Sequence, residues 1–222
     1  MTDRIAAYVF DAYGTLFDVH SAASRHAAEV GPAWERLSEL WRTKQLEYNW
    51  VESLIGRHPD FWTLTERALD HAMAATGVTG AGLREALLAS YRTLDAYPEV
   101  PDVLRALRAR GARTAILSNG TPEMLATAVR AAGIGALLDA VISVEEIGIF
   151  KPDRRVYQLV EKHFGVPPGA VSFQSSNAWD AAGASHFGFR VVWINRAKRP
   201  REYAGDPVVE VRDLSALLTL DS

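Results

Sequence analysis

The chain has 222 residues, 24 Lys and Arg against 27 Asp and Glu, 48% hydrophobic residues and no cysteine. This apolar content excludes a disordered chain. The missing cysteines exclude disulfide scaffolds, thiolate metal sites and thiol catalysis, and the formal net charge of −3 gives no general pull toward nucleic acid or acidic membranes.

The first apolar run, residues 5–10, predicts a buried strand that ends in the turn Asp11-Ala12-Tyr13-Gly14-Thr15. It is too short for a signal peptide, and no stretch approaches the roughly 20 apolar residues of a spanning helix. The chain therefore reads as soluble and cytoplasmic, with no nucleic-acid or membrane partner.

From His20 to Leu94 no comparable β-branched run appears. Trp34, Leu37, Leu40 and Trp41 recur at helical spacing, as do Leu64, Ala68, Leu69 and Ala72, and then Leu83, Leu87, Leu88 and Tyr91. Gly31-Pro32, His58-Pro59-Asp60 and Gly77 to Gly80 punctuate them. This segment predicts a block of about four helices.

After Pro98 the pattern changes to alternation. A helix around Val103 to Leu107 precedes a strand over 114–117, a helix over 122–132, a strand over 140–142 and a helix over 152–164. A strand over 170–173, a helix over 178–187 and a strand over 190–194 follow, then an edge strand over 208–211 and a terminal helix over 214–220. Such alternation predicts βαβ units in a doubly wound parallel sheet, an α/β Rossmann-like core with helices on both faces. The expected division is a core of residues 1–15 and 99–222, interrupted by a helical cap domain of residues 16–98.

Polar residues collect where the strands end: Asp11 and Thr15, then Ser118 and Asn119, then Ser175, Ser176, Asn177 and Asp180, with Lys151 just before a helix. Taken singly, each suits a turn or a helix cap. Together, at the one edge of a parallel sheet where ligands bind, they predict a site.

These residues carry a resemblance. Phe10-Asp11-Ala12-Tyr13-Gly14-Thr15-Leu16-Phe17-Asp18 resembles the first motif of the haloacid dehalogenase superfamily. Leu117-Ser118-Asn119-Gly120 is similar to its second motif, Lys151-Pro152 to its third, and Ser175-Ser176-Asn177-Ala178-Trp179-Asp180 to its fourth. The insert segment Trp41-Arg42-Thr43-Lys44-Gln45-Leu46-Glu47-Tyr48 resembles the cap helix, with its substrate arginine, of the L-2-haloacid dehalogenases.

The departures from the wider superfamily point the same way. Its magnesium phosphatases carry an acid two residues after the nucleophile and another four before the last aspartate; here those positions are Tyr13 and Ser176. An alkoxide leaving group needs a proton, whereas halide does not. A phosphate dianion needs a cation to meet a carboxylate, whereas one substrate carboxylate can be matched by Lys151 and Arg42.

The resemblance thus implies hydrolysis of a small halogenated carboxylic acid by water, without cofactor or metal. Asp11 would attack C2, and Thr15 and Lys151 would hold Asp11. Arg42, Asn119 and Trp179 would cradle the halide, and Ser118 with the backbone N–H groups from Ala12 onward would hold the substrate carboxylate. Asp180, Ser175 and Asn177 would position water, with Tyr157 holding one of them. Tyr13, Leu46, Phe61 and Trp179 would line an apolar pocket, and the chain would be a homodimer.

The six histidines show no metal-ligand spacing, the glycine pairs are not dinucleotide loops, and the basic run 196–201 reads as a solvated loop. Two other readings stand beside the dehalogenase: a magnesium-dependent phosphatase of the same superfamily, and a catalytically silent capped binding protein.

Overall fold

The structure is a computed structural model and describes residues 5–203 and 208–220; the outermost residues of the expected core segments lie outside that set. The strands are β1 (Ala7–Phe10), β2 (Arg113–Ser118), β3 (Ala140–Ser143), β4 (Val171–Ser175), β5 (Arg190–Ile194) and β6 (Val208–Val211). They form one sheet in the order β3-β2-β1-β4-β5-β6, with every pairing parallel. The α/β doubly wound expectation is met. β1 and β4 are buried along their whole length, as strands covered on both faces must be.

The chain order places β1 at the centre, where the sheet reverses its direction of growth, and that reversal opens a crevice beyond the strand ends. Phe10 lies opposite Ile116 on β2 and Gln174 on β4. Asp11 therefore leaves the sheet between the ends of β2 and β4. Its backbone N–H still donates to the Gln174 carbonyl at 2.9 Å, which fixes where the carboxylate starts.

Between β1 and β2 the chain forms α1 (Ser21–Ser24), α2 (Ala27–Val30), α3 (Trp34–Leu54), α4 (Phe61–Thr76) and α5 (Leu83–Arg92), then α6 (Val100–Ala109). Asp60 caps α4 by accepting from the Thr63 N–H, and Gly77 ends it with φ +69°. α3 and α4 pack along each other, α1 packs on α5, and α5 touches α7 (Pro122–Ala131) of the sheet layer. The helices α8 (Arg154–Phe164), α9 (Ala178–Phe187) and α10 (Leu217–Leu220) complete the fold.

Two expectations shift at the edges. The helix expected from residue 152 begins at Arg154, because the Asp153 carboxylate accepts from the Arg155 N–H and so caps it there. The terminal helix expected over 214–220 splits into a 3-10 turn, Leu214–Ala216, and α10. Among the described residues no helix is long and apolar enough to cross a membrane.

Candidate active site

The site grows from the ends of β1, β4 and β2. Lys151, only 1% exposed, reaches Asp11 Oδ1 with its Nζ at 3.1 Å and Asp180 Oδ2 at 3.0 Å. Thr15 Oγ1 lies 3.2 Å from the other Asp11 oxygen, and Asn177 Nδ2 donates to that oxygen at 2.9 Å. Asp11 thus holds three side-chain donors in a nearly dry place. A buried carboxylate is costly unless satisfied in this way.

Asn177 departs from an ordinary helix cap. It occupies the N-cap position of α9 with extended backbone, yet its side chain makes no capping bond. Its amide nitrogen goes to Asp11 instead, and its Oδ1 accepts from Arg42 Nη2 at 3.3 Å. Ser175 Oγ takes the Asn177 N–H at 3.1 Å, so the loop turns without the asparagine side chain. The Ser176 N–H donates to Thr15 Oγ1 at 2.8 Å and ties the β4 loop to the β1 loop.

Asp180 is fully buried in the first turn of α9. The Tyr157 hydroxyl donates to its Oδ1 at 2.8 Å while Lys151 holds Oδ2. Burial pushes the Asp180 carboxyl above its ordinary range, with Asp11 adding to the rise and Lys151 opposing it. Burial would lower the Lys151 ammonium, but Asp11 and Asp180 outweigh it and raise its pKa. Burial, then the charge of Asp180, pushes the Tyr157 hydroxyl far up, so it remains a donor.

Backbone shape at two glycines depends on the site. Gly14 has φ +96°, and a Cβ there would stand 2.9 Å from Ser176 Oγ. A Cβ on Gly120 would stand 2.8 Å from the Tyr13 ring.

On the β2 side, Ser118 Oγ accepts from the Gly120 N–H at 3.1 Å, which leaves its own hydrogen available. Asn119 Oδ1 accepts from the Lys151 backbone N–H at 3.0 Å and joins the second and third motifs. Ala12 is buried, and its carbonyl accepts from the N–H groups of Leu16 and Phe17 in the turn after Asp11.

α3 brings Arg42 over this edge. Arg42 Nη2 donates to the Tyr13 carbonyl at 3.1 Å as well as to Asn177. The apolar residues distribute unequally. Tyr13 and Phe61 are buried in ring contact, 6.1 Å between centroids. Leu46 lines a cleft of about 350 Å³ shared with Arg42 and Asn177. Trp179 lies edge-on to Trp50 in a separate cavity of about 790 Å³ that reaches Lys151.

Ser176, expected at the site as a strand-end residue, acts through its backbone N–H, which holds Thr15. Three contributors are absent from the site expected from the sequence. Gln45, Thr65 and Tyr91 form a polar cluster behind Arg42. A signal existed for Gln45 alone: it stands three residues after Arg42, on the same helix face.

Comparison with known proteins gives a consistent picture. The profile of the haloacid dehalogenase-like hydrolases matches residues 5–188. (S)-2-haloacid dehalogenase 1 of Pseudomonas sp. (strain CBS-3) is 51% identical over 206 residues, 92% of this chain and 91% of the relative. A crystal structure of a dehalogenase superposes with TM-score 0.97 at 45% identity, covering 99% of this chain and 98% of that one. L-2-haloacid dehalogenase from Xanthobacter autotrophicus with chloropropionic acid covalently bound has TM-score 0.89 at 37% identity, covering 97% and 98%.

Proposed function

The chain belongs to the haloacid dehalogenase-like hydrolases, and from that premise we propose that it hydrolyses L-2-haloalkanoic acids to D-2-hydroxyacids. The carrying observation is the Asp11–Lys151–Asp180 chain at the end of β1, in a protein 51% identical to an (S)-2-haloacid dehalogenase.

In this reading residues 16–98 act as a cap over the core. Asp11 attacks C2 of the substrate in line. The C–X bond breaks as the new C–O bond forms, and halide leaves with the electron pair. Inversion at C2 sets the D configuration of the product. Covalently bound chloropropionic acid in the Xanthobacter autotrophicus structure supports an ester of this kind.

Lys151 and Thr15 hold and aim the Asp11 carboxylate. Arg42 faces the departing halide, with Asn119 completing its cradle; Trp179, expected there from the sequence, instead packs on Trp50 in the separate cavity that reaches Lys151. Ser118, through its uncommitted hydroxyl hydrogen, takes the substrate carboxylate together with the N–H groups from Ala12 on. Tyr13, Phe61 and Leu46 exclude water from the alkyl group, which strips solvation from the nucleophile.

Water then attacks the ester carbonyl carbon of Asp11 and leaves C2 untouched. Asp180, with Ser175 and Asn177 beside it, takes one proton from that water and passes it to the 2-oxygen as the acyl C–O bond breaks; the D-2-hydroxyacid leaves, and Asp11, after losing the second proton to solvent, is again a carboxylate. Each Asp180 oxygen already accepts one bond and retains a lone pair for the water. Tyr157 holds Asp180 in place. The protein's own charges supply every step, and no cofactor enters the scheme.

One assay tests the reading: halide release from L-2-chloropropionate with EDTA present, beside nitrophenyl phosphate with Mg²⁺. Halide release in EDTA is expected. Its absence at high enzyme concentration, with phosphatase activity that EDTA abolishes, would replace this reading with a phosphatase; silence in both would indicate a binding protein. In single turnover in ¹⁸O water, label should enter Asp11 before product. We also propose a cytoplasmic homodimer, on the family resemblance alone; light scattering of the purified protein checks the dimer.

A further inference from the structure

The insert contains a buried polar cluster that the reaction scheme leaves unused. Gln45 is wholly buried on α3, one turn from Arg42. Its Oε1 accepts from Arg42 Nη1 at 2.8 Å. Its Nε2 donates to Thr65 Oγ1 at 2.7 Å, and the Tyr91 hydroxyl bridges the amide, 2.9 Å from Nε2 as acceptor and 3.1 Å from Oε1 as donor. Three helices therefore meet at one amide: α3 supplies Gln45, α4 Thr65 and α5 Tyr91.

The direction of that amide is determined by its neighbours. The Thr65 hydroxyl spends its only hydrogen on the Phe61 carbonyl at 2.7 Å, so toward Gln45 it can only accept. Guanidinium can only donate. Nitrogen must face Thr65 and oxygen must face Arg42. A flipped amide would set N–H against N–H at one end and two acceptors together at the other.

The same cluster reaches the reaction edge by packing. The Tyr91 ring stacks on Tyr13 with centroids 5.8 Å apart at 14°, and it lies 4.9 Å from the Trp41 ring. Trp41 Nε1 donates to the Thr65 carbonyl at 2.9 Å. Arg42 is thus gripped from behind by Gln45 and in front by the Tyr13 carbonyl and Asn177, and Asn177 in turn holds Asp11.

We propose that Gln45 is a positioning residue: its amide, oriented by Thr65 and braced by Tyr91, aims the Arg42 guanidinium at the point where negative charge grows on the departing halide. This rests on the reading of Arg42 as the halide-facing arginine. A neutral amide suits the task better than a carboxylate. It fixes the direction of the guanidinium without cancelling the positive charge that the substrate anion and the halide need. A free arginine on a helix face samples many rotamers, and a reacting group displaced by about 1 Å loses on the order of 100-fold in rate.

The test compares wild type with Gln45→Met and Thr65→Val, using crystal structures and turnover of L-2-chloropropionate and L-2-bromopropionate. Gln45→Met keeps the length of the side chain and removes its amide hydrogen bonds to Arg42, Thr65 and Tyr91. We expect Arg42 to leave the Tyr13 carbonyl and Asn177, and kcat to fall about 10- to 100-fold. The chloro substrate should suffer more than the bromo one, because the poorer leaving group depends more on charge stabilisation in the transition state. Thr65→Val, which never approaches the guanidinium, should move both readouts the same way by a smaller factor. A merely structural loss would slow both substrates equally.

Arg42 unmoved in Gln45→Met, or equal slowing of the two halides, would overturn the proposal. Should Gln45→Met not fold, Thr65→Val and Tyr91→Phe give the same two readouts. If wild type itself releases no halide, the dehalogenase reading fails, while the position of Arg42 in the variant structures still decides the role of Gln45.

Discussion

The carboxyl edge of the sheet and the interior of the helical insert solve one problem in opposite ways. At the sheet edge, charges are buried and paired with charges: Lys151 is shared between Asp11 and Asp180 at 3.1 and 3.0 Å. Inside the insert a single guanidinium is held by neutral dipoles, Gln45 backed by Thr65 and Tyr91. The sheet edge can tolerate no missing partner, because each charge there is desolvated. The insert keeps one half-buried cation uncompensated, available to an incoming anion. In the proposed mechanism nucleophile and base belong to the first region, and recognition of the leaving group to the second.

The largest expected effect lies at the sheet edge. Asp11→Asn removes the nucleophile, and halide release should fall by about 10⁵-fold or more with an unchanged circular dichroism spectrum, since groups acting as a unit fail together. Full retention of activity would move the chemistry out of this cluster.

Lys151→Met comes next and separates the regions thermodynamically. It leaves Asp11 and Asp180 facing each other without their cation, and urea unfolding should show a loss of about 3–5 kcal/mol at neutral pH. The sign in wild type follows from the raised lysine: its stabilisation is complete below the ordinary 10.5 and is lost as pH rises through the higher folded value. Asp180 behaves inversely for a raised acid. Its ionisation opposes folding as pH rises from the ordinary 3.8 through its folded value. The acid limb of turnover should therefore lie above pH 3.8, and the alkaline loss of stability above pH 10.5. An acid limb below the ordinary carboxylate value would remove Asp180 as the base.

Arg42→Lys tests the insert. The charge stays, but the fork that spans Gln45, Tyr13 and Asn177 is lost. Haloacid kcat/KM should fall about 100-fold while the melting temperature barely changes. A large stability loss instead would make Arg42 a structural tie rather than a recognition residue.

Gly183→Ala reaches the sheet edge from behind. A Cβ there would stand 2.6 Å from the Tyr157 hydroxyl and 2.8 Å from Pro152 Cβ. We expect about 1–3 kcal/mol of destabilisation from overpacking, with lower turnover as Tyr157 is pushed off Asp180. The smallest effect belongs to Arg84→Ala on the insert surface. Its pair with Asp70 is largely solvated, and the loss should stay under about 1 kcal/mol in urea unfolding.

What the chain order alone made legible was the sheet and its reactive edge. Apolar strands 4–6 residues long alternate with helices, and such strands can be buried only in a parallel sheet. Each site residue there lies at or within a few residues of a strand's end or a helix's start, where position along the chain nearly equals position in space. Asp11, Thr15, Ser118, Lys151, Asn177 and Asp180 could thus be named together.

The insert gives no such guide. On α3 the buried residues are Leu37, Ser38, Trp41, Gln45, Asn49 and Glu52, a face with four polar residues to two apolar ones. The expected apolar stripe ends at Trp41, and hydrophobic periodicity says nothing of Gln45. Its partners Thr65 and Tyr91 stand 20 and 46 residues away on other helices. Sequence by itself determined the alternation of strands and helices, the parallel sheet and the polar residues at its edge, Asp11 and Asp180 among them, because these follow from local pattern and short connections; the strand order came from the structure. Only the tertiary structure decided how α3, α4 and α5 meet around one amide and which way that amide points, because a hydrogen bond between distant helices leaves no period in the chain that makes it.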